Sequence, residues 1–129
     1  MNTTVGKLMS SPAITVDLDS SVAEVEEFLA SKNLSFVPLT DDNDKCFGVL
    51  SKMDLVSFHA KHLDENHTQA WEVCTHDILK VMPSQSIDEA LQIMLDHNIS
   101  HLLVMENEKI LGVVAKSEIL MKLSERRQY

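Results

Sequence analysis

Apolar positions follow the same succession of spacings twice along the chain. In the first half, Val22, Val25, Phe28 and Leu29 recur at helical spacing, and in the second Ile87, Ala90, Leu91, Met94 and Leu95 do the same. Both stretches predict amphipathic helices whose apolar faces belong to a core. Ser21-x-x-Glu24 opens the first and Ser86-x-x-Glu89 the second. Each pair can form a capping box that satisfies two backbone N–H groups otherwise orphaned at a helix start. Asn33 and Asn98, which tolerate a left-handed terminal conformation, close the helices. Short apolar runs at 13–16 and 78–81 predict brief strands before the helices. Runs at 36–40 with 46–50, and at 102–105 with 110–114, predict strand pairs joined by the polar loops 41–44 and 106–109. A second helix starts at Ser51 or Ala115, and a short helical lead-in at 5–11 has its match at 70–76. The unit is strand, helix, strand, strand, helix. Residues 57–69 read as the end of a helix plus a polar linker, and 124–129, with Arg126 and Arg127, as a fraying tail whose basic residues suit a helix C-terminus.

Direct self-comparison shows how closely the halves agree. At an offset of 65, Val16 meets Val81, Ser21 meets Ser86, Glu24 meets Glu89, Asn33 meets Asn98 and Ser35 meets Ser100. One residue deleted between Asp41 and Phe47 brings Gly48-Val49-Leu50-Ser51-Lys52-Met53-Asp54 onto Gly112-Val113-Val114-Ala115-Lys116-Ser117-Glu118. A single gap in a polar loop is what duplication leaves, because loops tolerate length changes that packed elements do not. The chain divides into a first repeat with its linker, 1–69, and a second with its tail, 70–129. Repeats of this size are marginal alone, so the two are expected to form one cooperative body.

Composition narrows the functional classes. A net charge of −9 disfavours nucleic acid and anionic membrane as partners, both of which reward Lys and Arg. Cys46 and Cys74 form no Cys-x-x-Cys and no Cys/His ligand set, which argues for a reducing, cytoplasmic setting. Residues 1–16 lack a signal-peptide apolar core, and no apolar run reaches membrane-spanning length. With three glycines, no Gly-rich phosphate loop and no nucleophile–base spacing, nothing points to an enzyme. His59 and His62 lie three apart, with His67 beyond, but no acid or Cys completes a set in sequence, so they read as a solvated face and no metal site is assigned. Met94, Met105 and Met121 read as core filler. Trp71 suits either packing at the seam between repeats or a platform against a neighbouring subunit.

Two tandem units that each end in Gly-apolar-x-apolar-Ser/Thr-x-x-Asp, with the segments Leu34-Ser35-Phe36-Val37-Pro38-Leu39 and Ile99-Ser100-His101-Leu102-Leu103-Val104, resemble a pair of cystathionine-β-synthase (CBS) domains, the Bateman module. The resemblance runs from about Val5 to Leu123. It implies an α/β (α+β) fold of two β-α-β-β-α repeats packed about a pseudo-twofold axis as one globular module. It also implies a regulatory function: binding of AMP, ADP, ATP or S-adenosylmethionine in clefts between the repeats, with no cofactor required. Homodimerisation and a separate effector protein are the partners it implies, and a dimerisation scaffold with vestigial clefts is the alternative.

Carried over residue by residue, the resemblance joins Ser51, Lys52 and Asp54 to Lys80, Ile99, Ser100 and His101 in a first cleft. It joins Ala115, Lys116 and Glu118 to Thr15, Leu34, Ser35 and Phe36 in a second. The chemistry suits a nucleotide. A carboxylate accepts hydrogen bonds from both ribose hydroxyls, Asp54 stands one turn after Ser51, and a helix start attracts phosphate oxygens. His101 could add a titratable charge near phosphate or be an edge residue of its strand, and Lys52 or Lys80 adds a permanent charge. Ala115 lacks the hydroxyl, Glu118 is a methylene longer than Asp, and Lys80 stands where the first repeat has Thr15, so the first cleft is preferred. Ser51 with Asp54 equally suits an ordinary helix cap.

Overall fold

The structure, a computed structural model, describes residues 3–126, so Arg127 of the expected tail lies outside the described residues. In chain order the elements are α1 (Val5–Leu8), β1 (Val16–Asp17), α2 (Val22–Lys32), β2 (Phe36–Thr40), β3 (Cys46–Ser51), α3 (Lys52–Ala60), a 3-10 turn (Ala70–Glu72), β4 (Lys80–Val81), α4 (Ile87–His97), β5 (His101–Glu106), β6 (Lys109–Ala115) and α5 (Lys116–Glu125). The fold is mixed α and β, with two three-stranded sheets among the described residues. Its compact units do not follow the boundaries of the sequence repeat. One unit is Ile14–Ile78; the other joins the N-terminal segment through Ala13 to the chain from Leu79 onward.

In the unit Ile14–Ile78, β2 is the central strand, parallel to β1 and antiparallel to β3. Parallel pairing needs a crossover, which α2 supplies. Val22, Val25 and Leu29 of α2 meet Val37 and Leu39 of β2, Leu50 of β3, and Leu55 and Phe58 of α3 in one buried cluster. The other unit repeats the plan with β4, β5 and β6, burying Ile87, Ala90 and Met94 of α4 with Leu102, Val104, Val114 and Ile119. Each core also takes in a residue from the lead-in of the other sequence repeat, Ala70 in the first case and Val5 in the second.

Both capping boxes form. The Glu24 N–H donates to Ser21 Oγ at 3.1 Å, and the Ser21 N–H donates to Glu24 Oε1 at 3.0 Å. The same exchange links Ser86 and Glu89 at 3.1 and 3.4 Å. These bonds favour the charged carboxylates: the Ser21 backbone N–H chiefly holds Glu24 below the usual range, and the Gln85 side chain with Ser86 does so for Glu89. Asn33 and Asn98 end their helices at φ 55° and 53°, in the left-handed region expected of them.

Three expectations are corrected. Of the strands expected at 13–16 and 78–81 only the ends form, β1 beginning at Val16 and β4 at Lys80, with Ala13, Ile14 and Thr15 and likewise Ile78 and Leu79 outside them. In the other unit Lys80 pairs with Leu103, but the position equivalent to Leu103 is Pro38, which has no N–H to donate to the ladder. Leu95 is 59% exposed, since it stands about 100° beyond Met94 around the helix, at the edge of the buried stripe. Met121 is 72% exposed because it lies two residues after the buried Ile119, on the opposite side of α5.

The matched glycines have a common cause. Thr75 bridges Val49, exchanging backbone hydrogen bonds of 2.9 and 3.0 Å, and Ser10 bridges Val113 at 2.9 and 3.1 Å. The lead-ins therefore run hard against β3 and β6. A Cβ on Gly48 would lie 2.7 Å from the Thr75 carbonyl oxygen, and one on Gly112 2.5 Å from that of Ser10. Gly48→Ala and Gly112→Ala are each expected to cost about 1–3 kcal/mol in urea unfolding, the range typical of overpacking. An unchanged midpoint would contradict the close approach.

Candidate functional site

The N-terminus of α3 gathers the most polar chemistry in its unit. Ser51 closes β3 opposite Phe36 and serves as the N-cap of α3. The Ser51 N–H donates to Asp54 Oδ2 at 2.9 Å and the Ser51 hydroxyl donates to the same oxygen at 3.2 Å. The Thr75 hydroxyl donates to the other oxygen, Asp54 Oδ1, at 3.2 Å. The Lys52 N–H donates to the Ser35 carbonyl at 3.0 Å, which seats the helix start on the segment before β2. The capping role read from sequence is thus realised. Beyond it, two hydroxyls converge on one half-buried carboxylate.

Thr75, part of the lead-in 70–76, has no site role assigned from the sequence, although the repeat carries a signal for one. At the offset of 65 it matches Ser10, and Ser10 does the equivalent thing, its hydroxyl donating to Glu118 Oε2 at 3.5 Å. Both copies place a hydroxyl residue of the lead-in against the acid at the start of the last helix. Burial, with the nearby Asp54 charge as a smaller cause, raises the Cys74 thiol above its ordinary pKa, so Cys74 stays a protonated thiol.

The equivalent site at α5 is poorer. The Ala115 N–H donates to Glu118 Oε1 at 2.9 Å, but the Ala115 side chain has no oxygen to accept from the Glu118 N–H in return. The Lys116 N–H donates to the Ser100 carbonyl at 2.8 Å, and His101 pairs in register with Ala115. Each unit therefore holds residues assigned to both clefts. Leu34, Ser35 and Phe36 lie beside Ser51 and Lys52, and Ile99, Ser100 and His101 lie beside Ala115 and Lys116. Leu34 and Ile99 are half-buried against their respective cores, and Thr15 is exposed. Lys80 lines an open hollow of about 450 Å³ with Met82, Gln85, Met105 and Glu106.

The histidines of the linker region have partners that their sequence spacing does not show. His59 Nε2 lies 2.5 Å from Glu26 Oε1 and 3.7 Å from Glu65 Oε2, and His67 Nδ1 lies 2.6 Å from Asp64 Oδ2. The hydrogen bond to His67 holds Asp64 below the usual carboxylate range. The Trp71 indole N–H donates to Gln69 Oε1 at 2.6 Å, and Trp71 remains partly exposed.

His101 is the titratable residue of interest in this region. Burial pushes its pKa below the ordinary imidazole value, and the neighbouring Glu118 charge opposes that only in part. The unfolded chain then binds a proton near pH 6.5 that the folded chain refuses. Stability contributed by neutral His101 is present above that pH and is lost as the pH falls toward the lowered folded value. His101→Gln should flatten this part of the profile of Tm against pH between about 7.5 and 5.5. A profile parallel to that of the wild type would refute the assignment.

Comparison with known proteins places this geometry in a family. The CBS domain family matches residues 5–61 and again 70–125. Protein MJ1232 of Methanocaldococcus jannaschii is 29% identical over 124 residues, covering 95% of this chain and 40% of its own length. Homoserine O-acetyltransferase of Methanosalsum zhilinae is 24% identical over 127 residues, covering 98% of this chain but only 25% of the enzyme. The chain therefore spans well under half the length of these curated relatives. Among solved structures, the CBS domain pair of protein MJ0100, in complex with 5′-methylthioadenosine and S-adenosyl-L-methionine, superposes with a TM-score of 0.89 at 22% identity, covering 98% of this chain and 100% of that one. The CBS domain protein PAE2072 of Pyrobaculum aerophilum, complexed with AMP, gives 0.85 at 22% identity, covering 95% and 99%. At such identities the superpositions speak for the fold. Two tandem family matches spanning almost the whole chain make this protein a member of the CBS domain family, with one pair of CBS domains.

Proposed function

We propose that this CBS pair is a regulatory module that binds an adenosine-containing ligand, AMP, ADP, ATP or S-adenosylmethionine, at the start of α3. The observation that carries this reading is the Asp54 carboxylate, half-buried and held by the Ser51 and Thr75 hydroxyls. A carboxylate that already accepts from two hydroxyls is suited to accept from the two hydroxyls of a ribose in their place. The first turn of α3 and the Lys52 ammonium favour phosphate oxygens nearby. Lys80, Ile99, Ser100 and His101 are the residues that the family resemblance assigns to the rest of the ligand. The solved CBS pairs with AMP and with S-adenosyl-L-methionine support the ligand class.

The site at α5 is the weaker one, because Ala115 supplies no hydroxyl and Glu118 reaches Ser10 only at 3.5 Å. Lys116, Thr15, Leu34, Ser35 and Phe36 would complete it. The role is regulatory rather than catalytic. In homoserine O-acetyltransferase the matched region is a quarter of the chain, leaving the greater part of that enzyme outside it. Ligand changes the state of such a module only by binding one arrangement better than another. Cys46 and Cys74 are thiols rather than a disulfide, which suits a reducing, cytoplasmic setting. Among the described residues no helix is long and apolar enough to cross a membrane.

A second copy of the chain is the proposed partner, and an assembly scaffold is the second reading. Both draw on the large apolar side chains that α3 and α5 leave to solvent: Met53 is 70% exposed, with Val56, Leu120 and Met121 also exposed. Light scattering is expected to give a dimer that Met53→Glu or Met121→Glu weakens, and a wild-type monomer at all concentrations would exclude self-association. Isothermal titration should show saturable binding of one of the four ligands, reduced at least about tenfold by Asp54→Ala, in keeping with the loss of charge-assisted hydrogen bonds. Absence of binding by all four would leave the scaffold reading in its place.

A further inference from the structure

Away from the start of α3, three elements of the unit Ile14–Ile78 bring together an imidazole and two carboxylates. Glu26 comes from the middle of α2, His59 from the last turn of α3, and Glu65 from the linker that follows. Their donor atoms lie within 4.8 Å of one another. We propose that Glu26, His59 and Glu65 form a binding site for a divalent transition-metal ion of the zinc, cobalt or nickel class.

The linker is anchored in a way that fixes Glu65. The first N–H groups of a helix have no intrahelical partner, and here linker carbonyls take two of them. The Val22 N–H donates to the Thr68 carbonyl at 2.9 Å and the Ala23 N–H donates to the Glu65 carbonyl at 3.0 Å. Ala23 stands three residues before Glu26, so this bond lays Glu65 over the helix face that carries Glu26. Within the linker, the Asn66 N–H donates to Asp64 Oδ1 at 2.9 Å and the Thr68 hydroxyl to the Asp64 carbonyl at 2.7 Å. The backbone around Glu65 is therefore held before any ion arrives.

Charge and ligand chemistry choose the ion. Two carboxylates and a neutral imidazole cancel a charge of plus two, and the carbonyl end of α3 adds negative potential beside His59. A nitrogen donor favours zinc, cobalt or nickel over calcium and magnesium, which prefer oxygen alone. Bonds of about 2.1 Å in a tetrahedron put donors about 3.4 Å apart. His59 and Glu26, now at 2.5 Å, would open by under about 1 Å, while Glu65, at 3.7 Å from His59 Nε2, is close to that spacing already. The His59 and Glu65 side chains are each 46% exposed and that of Glu26 33%, so an ion can enter and the side chains can adjust. Three protein ligands leave a coordination position for water or for a further donor. The site uses none of the residues assigned to the nucleotide, so the two proposals stand or fall separately.

The test uses full-length, tag-free, metal-stripped protein titrated with Co²⁺ and Zn²⁺. One equivalent per chain is expected, with visible Co²⁺ absorption free of thiolate charge transfer and a raised Tm on Zn²⁺ addition. His59→Ala and Glu65→Gln should each weaken binding by at least about tenfold, since losing even an outer-shell partner of a metal site costs that much. Should His59→Ala fail to fold, the near-isosteric Glu65→Gln decides. The double variant Cys46→Ser with Cys74→Ser should bind as the wild type does. Failure to bind either ion, leaving a plain ion pair, would overturn the proposal. So would binding that survives His59→Ala and Glu65→Gln or that is lost with the cysteines.

Discussion

Everything in each unit depends on the close passage of a lead-in segment over a glycine. The strand carrying Gly48 and the segment carrying Thr75 exchange backbone hydrogen bonds at a separation that leaves no space for a Cβ, and the strand carrying Gly112 does the same with the segment carrying Ser10. Once the lead-in is held there, its buried residue, Ala70 or Val5, completes the core, and its hydroxyl, on Thr75 or Ser10, reaches the acid at the start of the helix that follows the glycine's strand. Stability and site geometry thus share one cause. A Cβ at Gly48 or Gly112 would strain the core and displace the hydroxyl together.

On this common scaffold the two copies differ chiefly in their polar ends. The unit Ile14–Ile78 keeps a serine cap, a short acid and a threonine, and all three meet within hydrogen-bond distance. The other unit has Ala115 at the cap, the longer acid Glu118 and a half-buried imidazole, His101, near enough to feel that charge. The asymmetry leaves the start of α3 with the fuller cluster of hydroxyls and carboxylate and the start of α5 with the imidazole.

Much of the fold was legible in the sequence because its signals are local. The capping pairs Ser21–Glu24 and Ser86–Glu89, the terminal Asn33 and Asn98 and the apolar periodicity each act within a few residues, and the repeat doubled every one of them. Burial at the stripe edge was harder: Leu95 and Met121 fit an apolar pattern, yet the core lies about 100° away around the helix or on its opposite side. What the sequence could not show is long-range pairing. Nothing local tells that the lead-in carrying Thr75 packs on the first repeat, or that Glu26 and Glu65 meet at His59 across helix and linker. Ser51 and Asp54 were recognisable as a pair, but the third member of their cluster depended on that exchange of lead-ins.

The regulatory reading rests on one carboxylate, so the most direct measurement follows backbone amides around it. An ¹⁵N-labelled sample titrated in turn with AMP, ADP, ATP and S-adenosylmethionine should show, for at least one of them, saturable shifts that are largest from Ser51 to Asp54 and at Thr75. Saturable shifts that leave those amides unmoved, or no shifts with any of the four, would contradict nucleotide binding at the start of α3.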